Sequence, residues 1–106
     1  MALLTATKDN FEEMIAQENA VVEFWAPWCG YCKRLGPVMK ALGNELSDVT
    51  ILQVNIDDLE EISDRYGIET IPSIIVFHKK EASLPLVAPQ SKSAIIDFLK
   101  QEHVIG

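Results

Sequence analysis

Both cysteines of the chain fall in one tetrapeptide, Cys29-Gly30-Tyr31-Cys32, between an apolar run and a helical pattern. A cysteine at a helix start faces unpaired N–H groups and the positive end of the helix dipole, so its thiolate is stabilised. Cys32 lies on the same helix face and can reach Cys29 to close a small disulfide ring. Reversible disulfide exchange needs this arrangement: one thiol attacks a substrate disulfide and the second resolves the mixed disulfide. Lys33 and Arg34 add positive charge one turn into the helix, which favours the thiolate further. Two blander readings stand beside this one, half of a zinc site and an inert structural disulfide. A structural zinc needs four ligands, and apart from the pair only His78 and His103 are available, both far along the chain. A ring closed over so few residues stabilises little. His78 and His103 show no pattern that suggests catalysis and are read as structural, with no metal site.

Glu23 is the second candidate. It shares a strand face with Val21 and Trp25 in a run otherwise suited to burial. Carboxylates are rarely buried without a partner or a task. Asp57, Asp58, Glu60, Glu61 and Asp64 form an acidic cluster without calcium-loop spacing, and read as a solvated helix face. Trp25 reads as core, and Trp28, beside Cys29, as functional.

The elements that must hold these groups follow from hydrophobic periodicity. Leu3 to Ala6 is a short strand, and Asp9 caps a helix that carries Glu12 at its third position and runs to about Glu18. Ala20 to Ala26 is a strand covered on both faces, ended by Pro27. A helix from about Gly30 to Leu46 contains Pro37, which should kink it. Val49 to Ile56 is a second buried strand, parallel to the first through a right-handed helical crossover. Leu59 to Tyr66 is a short helix stopped at Gly67, Ser73 to His78 a third strong strand, and Leu84 to Val87 a short antiparallel partner for it. Ser91 to His103 closes the chain as an amphipathic helix. This order predicts an α/β sandwich with a mixed central sheet flanked by helices on both faces.

At 106 residues the chain has room for one domain, 1–106, burying roughly 65% of its unfolded surface. Its composition, 48% hydrophobic and 24% charged, is that of a globular domain rather than a disordered one. Sixteen acidic against nine basic residues give a net charge of −7, a poor match for a phosphate backbone, so no nucleic-acid partner is expected. No apolar run approaches the roughly 18 residues of a membrane span. The first nine residues lack a basic region followed by a long apolar stretch, so they do not read as a secretory signal. A cytoplasmic protein without a membrane partner is the expectation.

The stretch Val22-Glu23-Phe24-Trp25-Ala26-Pro27-Trp28-Cys29-Gly30-Tyr31-Cys32-Lys33, together with Tyr66-Gly67-Ile68-Glu69-Thr70-Ile71-Pro72-Ser73, resembles the thioredoxin family over nearly the whole chain. The resemblance implies the thioredoxin fold and a thiol-disulfide oxidoreductase whose redox group is the Cys29–Cys32 pair itself, with no separate cofactor. It implies that Cys29 is the exposed nucleophile, Cys32 the buried resolving thiol, and Glu23 the acid that relays the resolving proton. Pro72 matches the family's cis-proline, with Ile71 pairing to substrate backbone, and Pro37 its helix kink. Trp28 is the apolar platform beside the nucleophile, and Gly30 and Tyr31 complete the substrate-facing surface. Protein disulfides would be the substrates and a separate thioredoxin-reductase-type protein the electron donor, because no phosphate-binding loop is present. A monomer is expected.

Departures from the family pattern carry expectations of their own. Gly30-Tyr31 stands where thioredoxins have Gly-Pro, disulfide isomerases Gly-His and glutaredoxins Pro-Tyr, so the thiols' potential and the direction of electron flow are open. An oxidase or isomerase poise and a binding module with little turnover are the alternatives. Gln53 replaces a lysine that often pairs with the buried acid, which predicts a raised pKa for Glu23. His78-Lys79-Lys80-Glu81-Ala82-Ser83 lacks glycine, which predicts a loose loop rather than a two-residue hairpin. Ala88-Pro89 falls where thioredoxins place Gly-Ala beside the substrate groove, so the groove is expected to differ in shape.

Overall fold

The structure, a computed structural model, describes residues 3–106. Its elements are β1 (Leu3–Thr5), α1 (Phe11–Ile15), β2 (Ala20–Trp25), α2 (Gly30–Glu45), β3 (Thr50–Asn55), α3 (Glu60–Arg65), β4 (Ser73–His78), β5 (Glu81–Ala82), β6 (Leu86–Val87) and α4 (Lys92–Gln101). The sheet runs β1-β3-β2-β4, with β5 and β6 both on the outer edge of β4. β1, β3 and β2 are mutually parallel, and β4 is antiparallel to β2, β5 and β6.

Alternation along each strand sorts the core into two layers. Val21, Ile51, Ile74 and Val76 face Leu35, Met39 and Leu42 of α2 and Ile95 and Leu99 of α4. Their neighbours Val22, Phe24, Leu52, Val54, Ile75 and Phe77 face Phe11, Ile15 and Ile62 on the other side. The inner strands are therefore apolar on both faces, which is why they read as continuous hydrophobic runs. α2 passes through Pro37 without a break.

Three local expectations are overturned. α1 starts after Asn10, not Asp9, and is five residues long rather than reaching Glu18. Asn10 is drawn back towards the preceding turn: its side-chain oxygen accepts from Thr7 N at 2.7 Å, and Thr7 Oγ1 accepts from Asn10 N at 3.1 Å. The far end stops because the carbonyls of Ile15 and Gln17 accept from Lys80 N and Lys79 N, at 2.8 and 2.9 Å.

Those same bonds explain the second correction. His78 and Glu81 are cross-strand partners, so β4 and β5 are joined by a tight two-residue turn, Lys79-Lys80. Both lysines are left-handed, with φ of 49° and 74°. This sign matches the twist of a hairpin but costs a side-chain-bearing residue roughly 1–2 kcal/mol. The two amides are fixed from outside the turn by Ile15 at the end of α1 and by Gln17 just after it, and tertiary bonding here overrides the missing glycine.

Third, the last strand, expected over Leu84 to Val87, covers only Leu86–Val87, and a separate short strand, Glu81–Ala82, precedes it. Between the Phe77–Ala82 and Ile74–Leu86 pairs, three residues oppose two, which makes a bulge. Ser83 bridges it: its N donates to Val76 O at 2.8 Å, and its hydroxyl accepts from Val76 N at 3.0 Å. Leu84 and Pro85 are thrown outward, leaving an edge that is short and interrupted.

The final helix is shorter than the expected Ser91–His103 and is capped by Ser91, whose Oγ accepts from Ala94 N at 3.1 Å. It ends where His103 turns left-handed at φ 62°, with Val104 N on Leu99 O and His103 N on Lys100 O. His78 is structural, its ring nitrogens lying 3.2 Å from Glu18 O and 2.7 Å from Glu102 O. Replacing the turn by Lys79→Asn with Lys80→Gly should stabilise the protein by about 1 kcal/mol, because both new residues accept left-handed backbone. Thermal unfolding should show a rise of roughly 4–8 °C; an unchanged or lower midpoint would mean that the lysines are not strained.

Candidate active site

β2 delivers the chain to the end of the sheet at Trp25, and a turn through Ala26, Pro27 and Trp28 aims it back as α2. Cys29 is the N-cap of that helix, extended at φ −90° and ψ 109°. Its Sγ accepts from Cys32 N at 3.2 Å. Its own N donates to Ala26 O at 3.1 Å, which closes the turn. The cysteines are disulfide-bonded across a Cα–Cα distance of 5.3 Å, within the ordinary span of such bonds. Cys29 is half-buried and Cys32 is 2% exposed, so an incoming group meets the first sulfur and not the second.

Cys32, Leu35 and Met39 repeat at helical spacing and all are buried. Leu35 and Met39 belong to the layer that holds Val21, so Cys32 faces the sheet with them. Glu23 lies two residues beyond Val21 on the same face and is fully buried. It is flanked across the sheet by Gln53 of β3 and Ile74 of β4. The carboxyl and the resolving sulfur therefore share one interlayer space beneath the start of α2.

Gln53 Nε2 donates to Glu23 Oε1 at 2.8 Å, while Oε2 is buried with no partner among the described residues. Burial pushes the Glu23 pKa up to about 7, and the Gln53 hydrogen bond pulls it down only in part. The rise expected from an acid without a neighbouring cation is present. In either protonation state Oε1 can accept from Gln53.

Two polar tethers flank the disulfide. Trp28 is 67% exposed, yet its Nε1 donates to both carboxylate oxygens of Asp57, at 3.0 and 3.3 Å. Asp57 leaves the acidic helix face assigned to it and becomes the anchor of the Trp28 platform. The sheet register could have pointed there, since Trp25 pairs with Asn55 and both chains leave the sheet at that end. On the other side Tyr31, half-buried, donates its hydroxyl to Pro89 O at 2.6 Å. Gly30 is exposed, and a Cβ added to it would meet nothing within 4 Å, so the space above it is open.

Phe24 pairs with Ser73, which places Ile71 and Pro72 at the same end of the sheet as the disulfide. The Ile71–Pro72 peptide is cis, Pro72 is buried and Ile71 half-buried. Ser73 Oγ donates to Thr70 O, and Pro72 O accepts from Ala88 N at 2.8 Å. Ala88 is left-handed, φ 46°, so the shape that glycine makes easy is adopted by an alanine held through its amide. All eight residues proposed from the sequence thus lie at this end of the sheet or directly beneath it, and sequence reading missed Asp57 and the carbonyl of Pro89.

The Glu23 pKa sets a pH dependence. Between about pH 4.5, its ordinary value, and about pH 7, the folded protein keeps a proton that the unfolded chain has lost. Stability from this group is thus fully present below the ordinary pKa and declines as pH rises to about 7. The shift corresponds to a loss on the order of 3 kcal/mol. Denaturant unfolding of the oxidised protein should show this decline, and Glu23→Gln should abolish it. Parallel pH profiles for the two proteins would contradict the assignment.

The Thioredoxin family model matches residues 2–101 of the chain. A thioredoxin of Bacillus subtilis is 30% identical over 102 residues, covering 95% of this chain and 98% of the relative. A thioredoxin of Chlamydia trachomatis is 35% identical over 97 residues, covering 92% and 95%. Among solved structures, a mutant thioredoxin from Halobacterium salinarum superposes with a TM-score of 0.85 at 22% identity, covering 94% of this chain and 89% of that one. Plasmodium falciparum thioredoxin gives the same TM-score at 23% identity, covering 92% and 97%. The solved structures share the fold, and the family model and the relatives agree with the paired cysteines at the head of α2: the chain belongs to the thioredoxin family.

Proposed function

We infer that the chain is a protein-disulfide reductase working through the Cys29–Cys32 couple. One observation carries the reading: a disulfide at a helix start with one sulfur approachable and the other buried over a carboxyl of pKa about 7. In the reduced protein, the Cys29 thiolate takes the place of the sulfur that now accepts from Cys32 N. It attacks one sulfur of a substrate disulfide, forming a Cys29–substrate disulfide and releasing the other substrate sulfur as thiolate. Cys32 gives its proton to the Glu23 carboxylate and its sulfur attacks Cys29. That step breaks the mixed disulfide, releases the second substrate thiolate and leaves Cys29–Cys32 oxidised. The substrate gains two electrons, and its thiolates take up two protons, one from Glu23 and the other from solvent. A pKa near the working pH suits a group that must take and return that proton.

Protein disulfides are the substrate class, docking over Trp28, Gly30, Ile71 and Pro72. The electrons return from a separate thioredoxin-reductase-type donor, and no cofactor beyond the disulfide takes part. The reading extends to a monomer in the cytoplasm, where a reducing environment keeps a dithiol donor supplied. Insulin-disulfide reduction tests the roles. Cys29→Ser should lose at least about a hundredfold in rate, close to 3 kcal/mol of barrier. Cys32→Ser should accumulate a mixed disulfide at Cys29, visible by non-reducing electrophoresis. A Cys29→Ser variant as active as the parent would leave a binding module in place of an enzyme.

A further inference from the structure

We propose that Tyr31 is a positioning residue for protein substrates, a strut that holds the Ala88–Pro89 wall of the groove against the active-site helix. The proposal rests on the reductase reading and adds a determinant of substrate access to it. A phenol removed from water needs a hydrogen-bond partner, and Tyr31 finds it 58 positions away at Pro89 O, 2.6 Å distant. The Arg34 guanidinium lies 5.3 Å from the centre of the same ring, so the side chain is held at its face and at its tip.

The wall needs such a support. Ala88 holds a left-handed conformation that alanine disfavours, and Pro89 has no N–H to anchor it. An open depression of about 430 Å³ lies beside this contact, lined by Tyr31, Arg34, Leu35 and Val38 of α2 and by Gln90 and Ser91 of the loop. Tyr31 lines it on the helix side and reaches across to the Pro89 carbonyl. The peptide groups on either side of the Ala88–Pro89 bond are therefore fixed in different directions, the Ala88 amide on Pro72 O and the Pro89 carbonyl on the Tyr31 hydroxyl. Val87, half exposed and paired with Ser73, is carried on the same segment beside the cis-proline.

The geometry also separates two roles for the residue between the cysteines. The phenolic proton is directed to Pro89 and not to a cysteine sulfur, so the side chain acts on access to Cys29 rather than on the thiols. A protein substrate must lie along the wall, whereas a small aromatic disulfide meets Cys29 alone.

Tyr31→Phe removes the hydroxyl and keeps the ring. The test compares insulin with 5,5′-dithiobis(2-nitrobenzoate), together with the equilibrium constant against glutathione and hydrogen exchange at the Ala88 amide. KM for insulin should rise about fivefold, the factor carried by one neutral hydrogen bond, with kcat unchanged. KM for the small disulfide should rise less than KM for insulin, and the glutathione equilibrium should stay within twofold of the parent. Exchange at Ala88 N should speed up about fivefold. An unchanged insulin KM, or an unchanged Ala88 exchange rate, would overturn the strut. So would a tenfold change in the glutathione equilibrium, which would place the action of Tyr31 on the thiols. Loss of turnover by the parent protein itself would instead strike at the reductase reading.

Discussion

Cys29 can cap α2 only if the chain leaves the sheet at Trp25 and turns within three residues, and the rest of the site hangs on that junction. The cap requires extended backbone at Cys29, and it brings Sγ onto the Cys32 amide. Once the helix starts there, its pitch puts Cys32 on the buried face and leaves Cys29 at the rim. The asymmetry between an attacking and a resolving sulfur is thus a consequence of helix geometry. It needs no other group to impose it.

The same junction decides which strand residue lies under the sulfur. Alternation along β2 sends Val21 and Glu23 to the α2 side and Val22 and Phe24 to the other, so a fully buried carboxyl, with the half-buried Gln53 beside it, enters an otherwise apolar layer below Cys32. Keeping it there costs stability as the carboxyl ionises, and Gln53 offsets only part of that cost because it brings a hydrogen bond and no charge. A group with a pKa near 7 is the functional return on a destabilising burial. Around this centre the chain ties down what flanks Cys29, Trp28 through Asp57 and Tyr31 through Pro89.

Much of this was legible in the sequence because it is local or periodic. The cysteine spacing, the bounds of β2, β3 and β4 and the two-sided apolar runs each express a rule that acts over a few residues. Glu23 was visible as the one charge in such a run. What escaped depends on contacts between distant segments. The Lys79-Lys80 turn is fixed by the carbonyls of Ile15, the last residue of α1, and Gln17 just beyond it, and α1 is short for the same reason, so neither could be read from its own residues. Asp57 looked like one more solvated acid until the register of β2 on β3 brought it to Trp28. Tyr31 was visible as an unusual residue between the cysteines, but its partner is a backbone carbonyl, which leaves no mark in a sequence.

The measurement that bears most directly on the whole is a redox titration of the Cys29–Cys32 pair in defined dithiol/disulfide buffers, read by alkylation. A single reversible two-electron transition near the roughly −270 mV of thioredoxins is expected, the poise of a reductant. The absence of a reversible couple, or a potential well above the cellular glutathione poise, would contradict the assignment of this chain as a protein-disulfide reductase.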